Sequence, residues 1–238
     1  MHVDVIYGRN SQLKYQCTVD DHTRKSWLQQ LESKEFTLPA FQALQRKLEN
    51  DKAPYRYAIM HSDSGIEYND NKWKQYQEAS GLVHETSAPY RQGGNGVVEN
   101  RVKQIGYSAR AMVIYACCPS SDVPDAFRHA NTCTNNYPTK ANGGKTPNEV
   151  WYGVRLEMSQ RLGKGAFGCL VYYHIHKERR EHKNSDRARP AVYLGWEETS
   201  GTWYVKDWMS GRKGYTHDLS WMASVMPYRQ RPPFLMLY

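Results

Sequence analysis

The sequence predicts an α/β domain, a five-stranded mixed sheet with helices on both faces, followed by a small β-barrel or sandwich. Three observations carry this. Through the first 150 of 238 residues the pattern runs three strands, helix, strand, helix, strand, helices. The layered solution for that order is a mixed sheet covered by helices. From Phe167 onward short strands alternate with polar turns, the signature of a small barrel or sandwich. The charge also steps: residues 151–238 carry 14 basic and 8 acidic side chains, net +6, against 18 and 16, net +2, before them.

The elements follow in order. Residues 2–6 form a short apolar strand with Asp4 at its centre. Residues 15–19 alternate like a strand, residues 26–31 read as a third, and 20–24 make the hairpin connection. A helix over about 39–50 sets Phe41, Leu44 and Leu48 on one face. Residues 55–60 read as an apolar strand, 71–80 as a helix stopped by Gly81, and 82–85 as a short strand. Gly93, Gly94 and Gly96 make a loop with an unconstrained backbone. Helices are expected over about 97–117 and 123–135. Thr146, Pro147 and Glu149 then supply a cap, a first-turn proline and a third-position glutamate, a helix start. Cys117 and Cys118, adjacent in an apolar run, read as core. Strands are expected over 169–175, 191–195, 203–207 and 214–219.

Composition narrows the function. Apolar residues are 39%, but 18 Tyr and 7 Trp give 13% aromatics, more than a disordered chain carries. No run approaches the 18 apolar residues of a membrane helix. No secretion signal is expected, since charge and a strand pattern begin at once. Five cysteines without a C-x-x-C pair argue against a disulfide framework and for a reducing compartment. A near-neutral front and a basic back suit a polyanion partner for the second part.

Three carboxylates stand out: Asp4 at the centre of the first strand, Asp63 just past the fourth, where open α/β sheets bind ligands, and Glu99 near the start of the long helix, after the glycine loop. Oxygen donors of this kind suit Mg²⁺. Two such ions about 3.5–4 Å apart clamp the attacking and leaving oxygens of a phosphoryl transfer. Lys103 and Tyr107 follow Glu99 at helical spacing, on its face.

The local words add a family. Asp63 and Glu99 are separated by 35 residues, within His61-Ser62-Asp63-Ser64-Gly65-Ile66-Glu67-Tyr68 and Ala88-Pro89-Tyr90-Arg91-Gln92-Gly93-Gly94-Asn95-Gly96-Val97-Val98-Glu99. Upstream stands Val19-Asp20-Asp21-His22-Thr23-Arg24-Lys25-Ser26-Trp27. Downstream come Thr146-Pro147-Asn148-Glu149-Val150-Trp151-Tyr152-Gly153, Phe167-Gly168-Cys169 and Val192-Tyr193-Leu194-Gly195-Trp196. Together they resemble the integrase core and downstream region of copia-type LTR retrotransposon polyproteins, in the retroviral integrase superfamily, over about residues 2–221.

The resemblance implies a ribonuclease H-like core over 1–150, a linker helix over 151–166, a small basic SH3-like β-barrel over 167–221 and a tail over 222–238. It implies a metal-dependent polynucleotidyl transferase with Asp4, Asp63 and Glu99 as catalytic and metal ligands for two Mg²⁺ or Mn²⁺ ions. The enzyme would trim DNA 3′ ends and join them to target DNA, as a homo-oligomer on double-stranded DNA in the nucleus, reached through a cytoplasmic particle. Lys103, Gln92 and Asn95 would contact the DNA end; Arg179, Arg180 and Lys183 would contact backbone phosphates. The match departs from the family at Ser64, Ile66, Gly94, Asn100 and the Val102-Lys103-Gln104 word. The family's zinc-binding module, reverse transcriptase and ribonuclease H regions do not accompany these residues. A second expectation is therefore a non-catalytic DNA-binding remnant of such a polyprotein, and a third is a nuclease of the same fold.

Overall fold

The structure is a computed structural model. It describes the chain except residues 8–12, 64–67, 69, 87–94, 156–161, 176, 180–181, 183–185 and 231–238, and the side chains of Tyr7, Arg179 and Gln230. The chain divides into two compact units, Met1–Gln104 with Pro138–Tyr152, and Ile105–Tyr137 with Gly153–Tyr238.

The first unit holds a five-stranded mixed sheet. Its strands are β1 (His2–Tyr7), β2 (Lys14–Val19), β3 (Ser26–Leu31), β4 (Ile59–Ser62) and β5 (Val83–Thr86), in the order β3-β2-β1-β4-β5. The β1–β2 and β2–β3 pairs are antiparallel; β1–β4 and β4–β5 are parallel. This is the mixed sheet expected of a ribonuclease H-like core.

Side chains alternate across β1. Val3 and Val5 join the core with Phe41, Leu44 and Leu48 of α1 (Thr37–Asp51) and Trp73 of α2 (Asn71–Ser80). His2 and Asp4 point the other way. Helix α2 starts where Asp70 accepts the Trp73 N–H (2.8 Å) and stops at Gly81, φ +69°. Strand β4 begins later than the apolar run implied, at Ile59 rather than Tyr55. Pairing with β5 starts only at Ala58, whose carbonyl accepts the Val83 N–H (2.8 Å).

The long helix α3 (Gly96–Ala116) runs from the first unit into the second, and α4 (Val123–Asn135) matches its expected span. At α5 (Pro147–Tyr152) the reciprocal cap forms. Glu149 N–H donates to Thr146 Oγ1 (3.0 Å), and Thr146 N–H donates to Glu149 Oε2 (2.6 Å). Cys117 corrects one expectation. It is exposed, at φ +52°, because α3 ends at Ala116 and the chain turns there.

The second unit carries an antiparallel sheet of β6 (Leu170–His174), β7 (Ala188–Glu197), β8 (Thr202–Asp207), β9 (Lys213–Thr216) and β10 (Leu219–Met222). Its order, β10-β6-β7-β8-β9, returns the last strand to the first, as in a small SH3-like barrel. The single expected strand over 214–219 is two strands. His217 and Asp218 lie between them, and the chain leaves β8 to pair β10 with β6. Its core is Cys169, Val171, Ala191, Tyr193, Val205 and Met226.

Helix α4 packs on β7 within this unit. His129 lies against Gly195, whose φ of +141° is open to glycine alone; a Cβ there would sit 3.2 Å from His129 Nδ1. A buried ionic network ties α4 to the sheet. Asp122, with a wholly buried carboxylate, accepts from Lys206 Nζ (3.0 and 3.1 Å), from Lys213 Nζ (3.1 Å) and from the Tyr228 hydroxyl (2.5 Å). Asp125 takes Lys213 (2.6 Å) and Arg128 (2.7 Å). Among the described residues no helix is long and apolar enough to cross a membrane.

Candidate functional site

The parallel register places two of the three expected carboxylates. His2 of β1 pairs with His61 of β4. Asp4 stands two residues after His2, in the middle of β1, and Asp63 stands two residues after His61, just past the end of β4. Asp4 is half-buried, and its Oδ1 accepts the Val5 N–H (2.7 Å); Asp63 is exposed.

Glu99 comes from the first turn of α3. Two side chains tie the start of this helix to β1 and to the turn between β2 and β3. Asn95 Nδ2 donates to the Val3 carbonyl (3.0 Å). Arg101 is buried, donates to the Arg24 carbonyl (2.7 Å), and its charge reaches Cys17, which pairs with Asp4 across β1–β2. The Glu99 N–H donates to the Asn95 carbonyl (3.1 Å), and its carboxylate is exposed. Lys103, one turn on, is exposed as well.

Histidines lie on β1, β4 and β5 just before these positions. The His2 and His61 rings stack at 4.6 Å and 16°. His61 Nδ1 meets Glu85 (3.1 Å), and His84 Nε2 meets the Ser62 hydroxyl (2.8 Å). Burial holds His2 below the usual histidine range, and the neighbouring His61 adds to this; His84 is lowered by the same two causes. Burial raises the Cys17 thiol to about 12, so it stays protonated and is no nucleophile.

The donor set fits a hard divalent cation in kind: three carboxylates, Asp4 in β1, Asp63 just past β4 and Glu99 in the first turn of α3. Among the described residues, however, no three His, Cys, Asp or Glu side chains converge as a group that could hold a metal ion.

The remaining expected contacts divide. Asn95 is buried, 2% exposed, with its side-chain amide bonded inside the protein. Gln92, Arg180 and Lys183 lie outside the described residues, as does the Arg179 side chain. His2 and Arg101 went unremarked in the sequence. The signal for His2 was its strand parity with Asp4. Arg101 carried none, because a lone arginine two residues past a carboxylate is an ordinary helix surface pattern.

No protein-family model matches the chain. It is 28% identical over 178 residues, 75% of its length, to the retrovirus-related Pol polyprotein from transposon TNT 1-94 of Nicotiana tabacum. It is 27% identical over 189 residues, 79% of its length, to that from transposon RE1 of Arabidopsis thaliana. The chain spans only 13% and 12% of these curated relatives. Among solved structures it is similar to a chain of a simian T-cell lymphotropic virus intasome in complex with PP2A regulatory subunit B56 gamma. The TM-score is 0.54 at 12% identity, covering 92% of this chain and 77% of that one. That similarity takes in nearly the whole chain, so the likeness of fold extends beyond the first sheet. The chain is thus similar in sequence to the retrovirus-related Pol polyproteins of two plant transposons over about one eighth of their length, and its first unit has a ribonuclease H-like fold.

Proposed function

We propose that the chain is the DNA-joining part of a retrotransposon integrase, a divalent-metal-dependent polynucleotidyl transferase acting on double-stranded DNA. The observation that supports the reading is the parallel pairing of β1, which carries Asp4, with β4, which Asp63 follows, together with the tie from Asn95, one turn before Glu99, to the Val3 carbonyl of β1. Asp4, Asp63 and Glu99 would hold Mg²⁺ or Mn²⁺, two ions in the full site. Bound there, the metal would supply a Lewis acid for phosphoryl transfer.

The chain's own residues have separate tasks. The exposed Lys103, one turn from Glu99, is a phosphate contact for the DNA end. Gln92 is assigned to the DNA end as well, and Arg179, Arg180 and Lys183 to backbone phosphates. In the first step water attacks the phosphodiester near a 3′ end; the bond to the departing nucleotides breaks and a 3′-hydroxyl is left. In the second step that hydroxyl attacks target DNA. A new phosphodiester forms, and a target 3′-hydroxyl leaves with the proton. Joining two ends to one target calls for at least two active sites, hence a homo-oligomer working in the nucleus.

Strand transfer of a labelled duplex with Mg²⁺ or Mn²⁺ tests the proposal, beside Asp4→Asn and Asp63→Asn. Joined product from the wild type, lost in both variants, upholds it. DNA binding without joining or nicking would identify a non-catalytic remnant. Nicking without joining would identify a nuclease of the same fold.

A further inference from the structure

We infer that Asn95 and His2 form a buried polar link that sets the relative positions of the three carboxylate-bearing elements. They act as positioning residues rather than as contacts to DNA. The inference rests on the reading of Asp4, Asp63 and Glu99 as the metal-binding set.

Asn95 grips two elements at once. Its side-chain amide donates to the Val3 carbonyl of β1 (3.0 Å), next to Asp4. Its backbone carbonyl accepts the Glu99 N–H in the first turn of α3 (3.1 Å). Its Oδ1 lies 3.2 Å from His2 Nδ1. His2 carries the link onward: Nε2 lies 3.2 Å from Asp21, and the ring stacks on His61 of β4. His2 stands two residues before Asp4, His61 two before Asp63, and Asn95 four before Glu99.

Each carboxylate therefore sits a short, stiff stretch of backbone from a member of the link. An apolar residue at position 95 would fill the space without fixing direction. A two-ended amide with both ends bonded permits one axial position of α3 along β1. Supporting shells of this kind set the geometry of groups that act on a metal or substrate. Both members are nearly inaccessible, Asn95 at 2% and His2 at 7%, which leaves little surface for a DNA contact.

The test compares the full chain with Asn95→Ala and with His2→Phe, which keeps the ring stack and loses both polar contacts. Mn²⁺ alone is titrated by calorimetry, amide exchange is followed in residues 98–103, and DNA affinity is measured in parallel. Asn95→Ala should weaken Mn²⁺ binding about tenfold or more. It should speed exchange in those amides selectively and leave DNA affinity within about twofold. The double variant should be no worse than Asn95→Ala, because the two residues act as one unit.

Mn²⁺ binding and exchange equal to wild type in both single variants would overturn the inference. So would a uniform loss of protection across the unit accompanied by loss of DNA binding, which marks a merely structural side chain. If the wild type itself binds no Mn²⁺ and joins no DNA, the metal reading fails. Exchange then decides the link alone: selective loosening of 98–103 upholds it, and unchanged protection overturns it.

Discussion

Asp122→Asn removes one charge from the network that fastens α4 to the second sheet, and its cost follows from the contacts. The carboxylate is wholly buried and receives Lys206, Lys213 and the Tyr228 hydroxyl. Burial alone would raise its pKa, but hydrogen bonds from Tyr228, Lys206 and Lys213 bring it below the usual carboxylate range. The charged form is therefore the stabilising one, and that stability is present above about pH 3.8 and lost as pH falls further.

An asparagine keeps the shape but turns an NH₂ or a neutral oxygen toward two ammonium groups. Breaking a buried pair by removing one partner costs roughly 3–5 kcal/mol. The lysine side chains keep some water, 18% and 26% exposed, and Lys213 retains Asp125. The low end applies, about 3 kcal/mol. Native-state amide exchange in β7 and β8, with urea unfolding beside it, reads this directly. Asp218→Asn, at an exposed position, should stay within about 0.5 kcal/mol. Adding Lys213→Met to Asp122→Asn should cost less than the two single effects summed. A loss below about 1 kcal/mol for Asp122→Asn would show that the network does not hold α4 to the sheet.

The same network bears on DNA binding. Lys206 and Lys213 are engaged by Asp122 and Asp125, so neutralising them should leave the salt dependence of DNA affinity unchanged. The triple change at Arg179, Arg180 and Lys183 should flatten the log–log salt slope by roughly two to three units. An unchanged slope would remove that strip from the interface. His129 sets a pH dependence: burial, aided by Arg128, lowers its pKa to about 4. The unfolded chain takes up its proton first as pH falls, so stability is full above about 6.5 and declines below it. The loss is about 2 kcal/mol by pH 5, and His129→Leu should lack that decline in urea midpoints at pH 7 and 5. Gly195→Ala should cost about 1–3 kcal/mol, since φ is +141° and the new Cβ would press on His129 Nδ1; a neutral midpoint would contradict this.

Much of the fold was legible because local signals agreed. Helix α2 stopped at Gly81 as read, α4 kept its expected span, and the Thr146–Glu149 cap stood where capping chemistry put it. The three carboxylates were legible as candidates from their places on strands and helix. Long-range facts were not. That Asn95 would turn inward needed the β1 carbonyl of Val3, 92 residues away in sequence. That α4 would pack on β7 depended on Gly195, Asp122 and two lysines far downstream, none of which periodicity can pair. Strand β10 was hidden because one short polar step, His217-Asp218, looks like strand alternation and not like a change of partner.

On the proposed function, Glu99 serves chemistry and not DNA binding. Glu99→Gln keeps size and hydrogen bonding and removes one negative charge from the set that would offset two divalent ions. Strand transfer of a labelled duplex with Mn²⁺, run beside DNA-binding curves, measures both properties. The wild type should join DNA, Glu99→Gln should fall on the order of a thousandfold or more, about 4 kcal/mol, and DNA affinity should be unchanged. Glu99→Gln joining DNA at the wild-type rate would contradict this.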